Sequence, residues 1–167
     1  MRKNVKKQLA LRVLSTAALV AMVSSIATAA FAAEYNVAEG SVDILAEGGK
    51  QYITQWKDKD SNTCVKDDKG KDIRDREDSK IVLVTKDETT GETKPTSNTV
   101  TITAEEKGDT ANVTLDNVHI EVDTGKAKSG AIEIKGDGHT NLELNGDNTV
   151  MVKNGWEEEH AAIEKAD

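Results

Sequence analysis

The chain contains a single cysteine, Cys64, so no intramolecular disulfide can form. A small domain without disulfides must hold itself together by an extended apolar core or by metal, and Cys64 reads as an isolated thiol with no role. Proline occurs once, at Pro95 in "GETKPTSN", where it marks a turn. Aromatic residues are equally scarce: beyond Phe31 there are Tyr35, Tyr52, Trp56 and Trp156. A compact globular core normally uses more aromatic area than that, so the interior has to be filled by Val, Ile, Leu and Ala. After residue 32 no amphipathic helix of normal length occurs.

Catalytic signatures are missing as well. There is no Ser-centred nucleophile elbow, no HExxH zinc pair and no glycine-rich phosphate loop. His119, His139 and His160 lie on different segments without ligand spacing. His119 alternates with Val118 and Ile120, which read as inward, so its ring is expected to face solvent. Basic charge is in deficit too. Of the 22 Lys and Arg, five lie in "MRKNVKKQLALR", which leaves 17 against 30 Asp and Glu beyond it, so a net charge of -8 becomes -13. That acidity disfavours nucleic acid and anionic membranes as partners, while supplying carboxylates for a divalent cation.

The basic head is followed by the apolar run "VLSTAALVAMVSSIATAAFAA" and a small-x-small exit at Ala30-Phe31-Ala32. These are the marks of a secretory signal peptide over residues 1–32. The alternative is an uncleaved membrane anchor, against which the interspersed Ser and Thr and the Ala-rich exit speak. The reading is an exported protein, secreted or at the cell surface, with no membrane association after cleavage.

Beyond residue 32 the chain is a series of short β-branched runs separated by polar turns: "SVDIL", "KIVLVT", "NTVTIT", "NVTL", "VHIEV", "AIEI", "NLEL" and "TVMV". Period-two alternation puts Val113 and Leu115 on one face and Thr114 on the other. It likewise separates Ile132 and Ile134 from Glu133, and Leu142 and Leu144 from Glu143. Brief strands at this density indicate an all-β architecture. Residues 50–79, dense in Lys and Asp, read as a loop or loosely ordered insertion. The expected division is a signal peptide (1–32), amino-terminal strands with a polar loop region (33–96), and a repeat region (97–167) incomplete at its end.

The repeat is visible in three ordered echoes. Leu115 returns as Leu144 after 29 residues, Asn117 as Asn148 after 31, and Ala131-Ile132-Glu133 as Ala162-Ile163-Glu164 after 31. Coils of about thirty residues that repeat the one beneath are the mark of a solenoid. Three short strands per coil make a rung of a parallel β-helix, against the alternative of antiparallel hairpins in a β-sandwich. Stacking then places Val113 and Leu115 under Leu142 and Leu144, and Asn117 under Asn148 at one corner. Val118 would align with Val150 only if the corner absorbed Thr149. The inward residues Val113, Leu115, Ile120, Ile132, Ile134, Leu142, Leu144 and Val152 are expected to be buried. The last strand, "AAIEKAD", leaves the final rung uncovered, so the chain is expected to be the amino-terminal piece of a longer surface protein or a prematurely ended copy of one; if complete, it should associate end to end.

Two features suggest ligand chemistry. The glycine-and-Asp corners "KGDGH" and "NGDN" could aim the carboxylates of Asp137 and Asp147 at calcium, which accepts irregular oxygen coordination. Turns use the same residues for their own reasons. Trp156 in "KNGWEEEHA" offers an indole on which a sugar ring could stack, or which could pack over the end of a coil.

The segments "NTVTITAEEKGDTANVTLDNVHIEV" and "GAIEIKGDGHTNLELNGDNTVMVKNG" resemble exported carbohydrate-binding-domain-containing surface proteins of Gram-positive bacteria. The shared pattern is "TLDNVHI", an "AIEI" strand, an "LEL…NTV" strand and an "NG" turn. The resemblance covers residues 97–167 and implies a right-handed parallel β-helix with calcium-assisted binding of acidic or cellulosic plant polysaccharide. The chain departs from it in having barely two rungs and no "LPxTG" sorting signal. The expected function is therefore a non-catalytic polysaccharide-binding surface protein. The alternative is a structural or adhesive repeat segment without a specific ligand. A polysaccharide lyase ranks behind both, because Lys126, Lys128 and Lys135 show no acidic pocket to work on.

Overall fold

A computed structural model of the chain describes residues 33–123, 130–153 and 160–166. Among these residues the protein is all-β, with one 3-10 turn at Val37–Glu39. The strands are β1 (Glu34–Asn36), β2 (Ser41–Glu47), β3 (Lys50–Asp58), β4 (Thr63–Cys64), β5 (Arg76–Glu77) and β6 (Ile81–Val84). They continue with β7 (Val100–Ala104), β8 (Thr110–Asp116), β9 (His119–Asp123) and β10 (Ile132–Lys135). The last three are β11 (His139–Asn145), β12 (Thr149–Lys153) and β13 (Ile163–Lys165).

Three sheets share these strands. A four-stranded sheet runs β1-β6-β8-β11, parallel throughout. A seven-stranded sheet runs β13-β10-β7-β2-β3-β4, with β5 also on β3; it is parallel from β13 to β2 and antiparallel beyond. A two-stranded sheet pairs β9 with β12 in parallel, and Thr96 makes a single parallel bridge to Ile120 on its other side. Successive strands β8, β9 and β10 fall in three different sheets, and β11, β12 and β13 repeat that order. Leu115 pairs in parallel with Leu144, and Ile132 with Ile163, in the registers that the echoes anticipate.

Packing explains why alternation is strict in β7, β8 and β9. Val100, Ile102, Val113, Leu115, Val118, Ile120 and Val122 are all buried, and with Leu83, Ile44 and Ile53 they form one continuous apolar core. Fully burying such a side chain contributes about 1.5–3 kcal/mol. The same pattern loses its burial in the last strands. Leu142 and Val152 are only partly covered, Ile134 is half-buried, and Leu144 is 67% exposed. Alternation sets which face a residue takes; a neighbouring strand on that side decides whether water is excluded. Ile163 is exposed for the same reason, whereas Met151, paired with Glu121, points outward from β12; among the described residues the exposed large apolar side chains thus lie on β11, β12 and β13. Thr114 and Glu133 are half-buried and Glu143 is exposed, on the opposite face from the core.

Two expectations are revised by the register. The backbone after β8 turns left-handed at Asn117 (φ 53°), and the residue one step beyond the Asp116–Asn145 pair is Gly146 (φ 67°). Gly146, not Asn148, is thus the counterpart of Asn117, and a Cβ there would collide with the Asn117 side chain. Asn148 instead sits over Val118. Its Oδ1 accepts the Val118 N–H at 2.8 Å, and its Nδ2 donates to the Asn145 carbonyl at 2.8 Å. The sheet after the corner runs at a constant offset, pairing His119 with Thr149, Ile120 with Val150 and Val122 with Val152.

The segment read as a loop at 50–79 contains β3, β4 and β5. Its inward positions on β3 are Gln51, Ile53 and Gln55, all buried. Two polar residues in three positions hide the apolar stripe from a reading by periodicity, but each has partners. The Gln55 side chain donates to the Asn36 carbonyl at 2.6 Å, and its backbone N–H to Ile73 at 2.9 Å. The Gln51 Oε1 accepts the Asn112 N–H. Buried amides satisfied in this way carry little penalty. Strands on both sides of residue 96 thereby share the same sheets.

Candidate functional site

The outward face of the seven-stranded sheet forms an open groove of about 440 Å³ across β3, β2, β7 and β10. That volume lies in the range of small-ligand sites, roughly 300–1,000 Å³. Strand alternation selects what lines it. Tyr52, Thr54 and Trp56 point outward from β3 because Gln51, Ile53 and Gln55 point in. The register aligns them with neighbours in rows: Thr54, Asp43, Thr101 and Glu133 in one, and Tyr52, Leu45, Thr103 and Lys135 in the next. Tyr52 and Trp56 are four residues apart on one strand, about 13 Å.

The polar groups are held in fixed geometry. Trp56 Nε1–H donates to Asp43 Oδ2 at 2.7 Å, and Lys59 Nζ lies 2.8 and 3.1 Å from the two Asp43 oxygens. The Arg74 guanidinium covers the Trp56 ring at 4.9 Å from its centroid and is tied back to Asn62 at 2.9 and 3.1 Å. Asp75, in left-handed backbone conformation (φ 45°), exchanges hydrogen bonds with Thr54: its N–H donates at 3.0 Å and its Oδ1 accepts at 3.2 Å. Lys135 pairs with Glu133 at 2.9 Å. The hydroxyls of Tyr52, Thr101 and Thr103 make no hydrogen bond among the described residues and are open to a ligand. A half-buried indole and phenol, a comb of hydroxyls and an anchored carboxylate together offer an apolar ring face flanked by hydrogen-bonding groups.

A second cleft, larger at about 620 Å³, lies beside the 3-10 turn and includes Glu39, Lys57, Cys64, Lys86 and Glu88 in its lining. The Glu39 carboxyl there is pushed above its usual range by burial and by the neighbouring Glu88. Its lining has no aromatic ring, and its charged groups reach salt-bridge partners at the rim, such as Lys94–Asp87 at 3.8 Å. Volume alone favours this cleft; the arrangement of chemistry favours the groove.

The residues singled out from sequence fall elsewhere. Asp137 lies at the corner between β10 and β11 and Asp147 at the corner between β11 and β12, both exposed. The Asp137 N–H donates to the Glu105 carbonyl at 3.3 Å and the Asp147 N–H to Asn117 Oδ1 at 3.1 Å. The two aspartates are on different corners, and among the described residues no three His, Cys, Asp or Glu side chains converge on a metal-sized site. Trp156 lies outside the described residues. His119 is half-buried with its Nε2 2.8 Å from Glu121 Oε1. Lys153, reaching Glu121 from the next strand at 2.6 Å, and then His119 hold that carboxyl below its usual range.

The groove residues were accessible in principle from the alternation Tyr52-x-Thr54-x-Trp56, but the adjoining Lys/Asp-rich run obscured it. Comparison with known proteins adds no relative: no family model matches the chain, and no curated protein or solved structure aligns with it significantly.

Proposed function

We propose that the chain is an exported, non-catalytic polysaccharide-binding protein, built as a right-handed parallel β-helix and working at the cell surface or in the secreted state. The strand order supports the helix: each of the last six strands but β8 and β9 returns to the sheet of the strand three places earlier, and all of β10 to β13 pair in parallel. Right-handed crossovers are the rule for parallel strands of one sheet. The observation that carries the binding function is the Tyr52–Trp56 groove with its anchored Asp43. A sugar ring presents an apolar C–H face to an aromatic ring and hydroxyls to the carboxylate and threonines around it. Calcium at Asp137 or Asp147 would bridge an acidic polysaccharide to this acidic chain.

The competing reading is a structural or adhesive repeat segment that associates end to end and binds no sugar. It draws on the exposed Leu144, Met151 and Ile163 along the open edges of β11, β12 and β13. Co-sedimentation of the purified protein with insoluble cellulose and pectin, with and without chelator, tests the proposal. Retention on either polymer supports it, and complete recovery in the supernatant with concentration-dependent self-association favours the structural reading.

A further inference from the structure

We propose that the ligand of the Tyr52–Trp56 groove is a neutral, hydroxyl-rich polysaccharide lying along β3, and not an acidic one; this rests on the polysaccharide-binding reading of the groove. The argument is one of charge. Among the described residues, three carboxylates, Asp43, Asp75 and Glu133, and three cations, Lys59, Arg74 and Lys135, stand around the groove. Each cation already has a partner: Lys59 is on Asp43 at 2.8 Å, Lys135 on Glu133 at 2.9 Å, and Arg74 is stacked on Trp56 and bonded to Asn62. A uronate carboxylate entering here meets no lysine without a carboxylate partner, and the one cation of the three without such a partner, Arg74, is held against Trp56 by its bonds to Asn62. The chain beyond residue 32 also repels a uronate through a net charge of -13 (17 Lys and Arg against 30 Asp and Glu). Neutral hydroxyls suit what remains. The Tyr52, Thr101 and Thr103 hydroxyls donate and accept, while Asp43 and Glu133 accept only. The lysines orient the carboxylates so that their remaining lone pairs face a fixed direction, which favours hydroxyl donors over competing water.

The ion pair also makes a specific switch. Asp43→Asn keeps the shape of the side chain and removes its charge, leaving Lys59 without its counter-ion and the groove with a surplus cation. The test is native affinity electrophoresis of the full protein in gels containing hydroxyethylcellulose, galactomannan or polygalacturonate, with calcium or with chelator. The neutral polymers are expected to retard the wild type equally in both conditions. Tyr52→Ala and Trp56→Ala should each weaken that retardation by about tenfold or more. Tyr52→Ala guards against misfolding of the tryptophan variant, because the Tyr52 hydroxyl has no hydrogen bond among the described residues to lose. With chelator, which removes any calcium bridge at Asp137 or Asp147, polygalacturonate should leave the wild type unretarded and retard Asp43→Asn at low salt. Retardation of the wild type by polygalacturonate, with neither neutral polymer acting, would overturn the neutral-ligand inference while leaving the polysaccharide reading in place. Unretarded migration in all three gels would overturn both.

Discussion

Leu115 and Leu144 are the same residue type, on the same face, in register with each other on adjacent parallel strands. They differ in what lies beyond them. Leu115 is fully buried between Leu83 and Leu144, whereas Leu144 is 67% exposed. Truncating Leu115 to alanine removes buried methyl groups and leaves a cavity in a column that cannot collapse without shifting two sheets, so it should cost about 2–5 kcal/mol. Leu144 keeps about a third of its surface from water, and a third of a full leucine burial is about 0.5–1 kcal/mol. Urea unfolding of the two variants beside the wild type measures both, provided the slope m is unchanged. The expected outcome is a difference between the variants of at least about 1 kcal/mol. Equal, large losses would refute the reasoning, since Leu144 would then be covered by something. If the Leu144→Ala loss also grew with protein concentration, that cover would be a second copy of the chain, as end-to-end association requires.

Asn148→Ala should cost about 1–3 kcal/mol in the same assay, because it leaves the Val118 N–H without its acceptor beside a buried side chain. Gly136→Ala should be more damaging than a typical surface change, since φ is +84° and a Cβ would meet the Ala104 carbonyl. Glu39 has a raised folded-state value, so its protonated form favours folding: that contribution is full below about 4.5 and is lost as pH rises. Glu39→Gln should therefore raise the melting temperature at pH 7 and leave it unchanged at pH 4, read by thermal unfolding at each pH. Glu164 behaves in the opposite sense. Its carboxyl accepts the Gly130 N–H at 2.8 Å and lies 3.2 Å from the His160 Nδ1, contacts that lower its value, so the stability it adds is present above the ordinary glutamate range and fades as pH falls. The protection of the Ile163–Lys165 amides, taken relative to their intrinsic exchange rate at each pH, should fall on acidification before that of the β7–β9 amides.

Much of the architecture can be read from local pattern because the period of two and the return near thirty residues are properties of the chain alone. Val113, Leu115, Ile120 and Ile132 alternate with polar neighbours, and their echoes at Leu142, Leu144 and Ile163 name the strands that pair. The corner is less legible. Asn117 and Asn148 share a residue name but not a role, because a left-handed backbone can be supplied by Asn or by Gly, and Gly146 supplies it after β11. Strand β3 was hidden for a different reason: its inward stripe contains Gln51 and Gln55, whose burial is tolerated only because Asn112 and Asn36 stand ready to bond them.

The amino-acid sequence by itself determined that the described chain is rich in strands, which face of β8, β10 and β11 is apolar, and which later strands echo earlier ones. Those are consequences of steric preference and alternation, and they act over a few residues. Only the tertiary structure decided that Leu115 is dry and Leu144 wet, because burial depends on a strand present on one side and missing among the described residues on the other. It also decided that Trp56, Asp43, Thr101 and Glu133, drawn from four strands up to about ninety residues apart in the chain, share one groove. No local rule brings them together; hydrogen-bonded register between distant strands does.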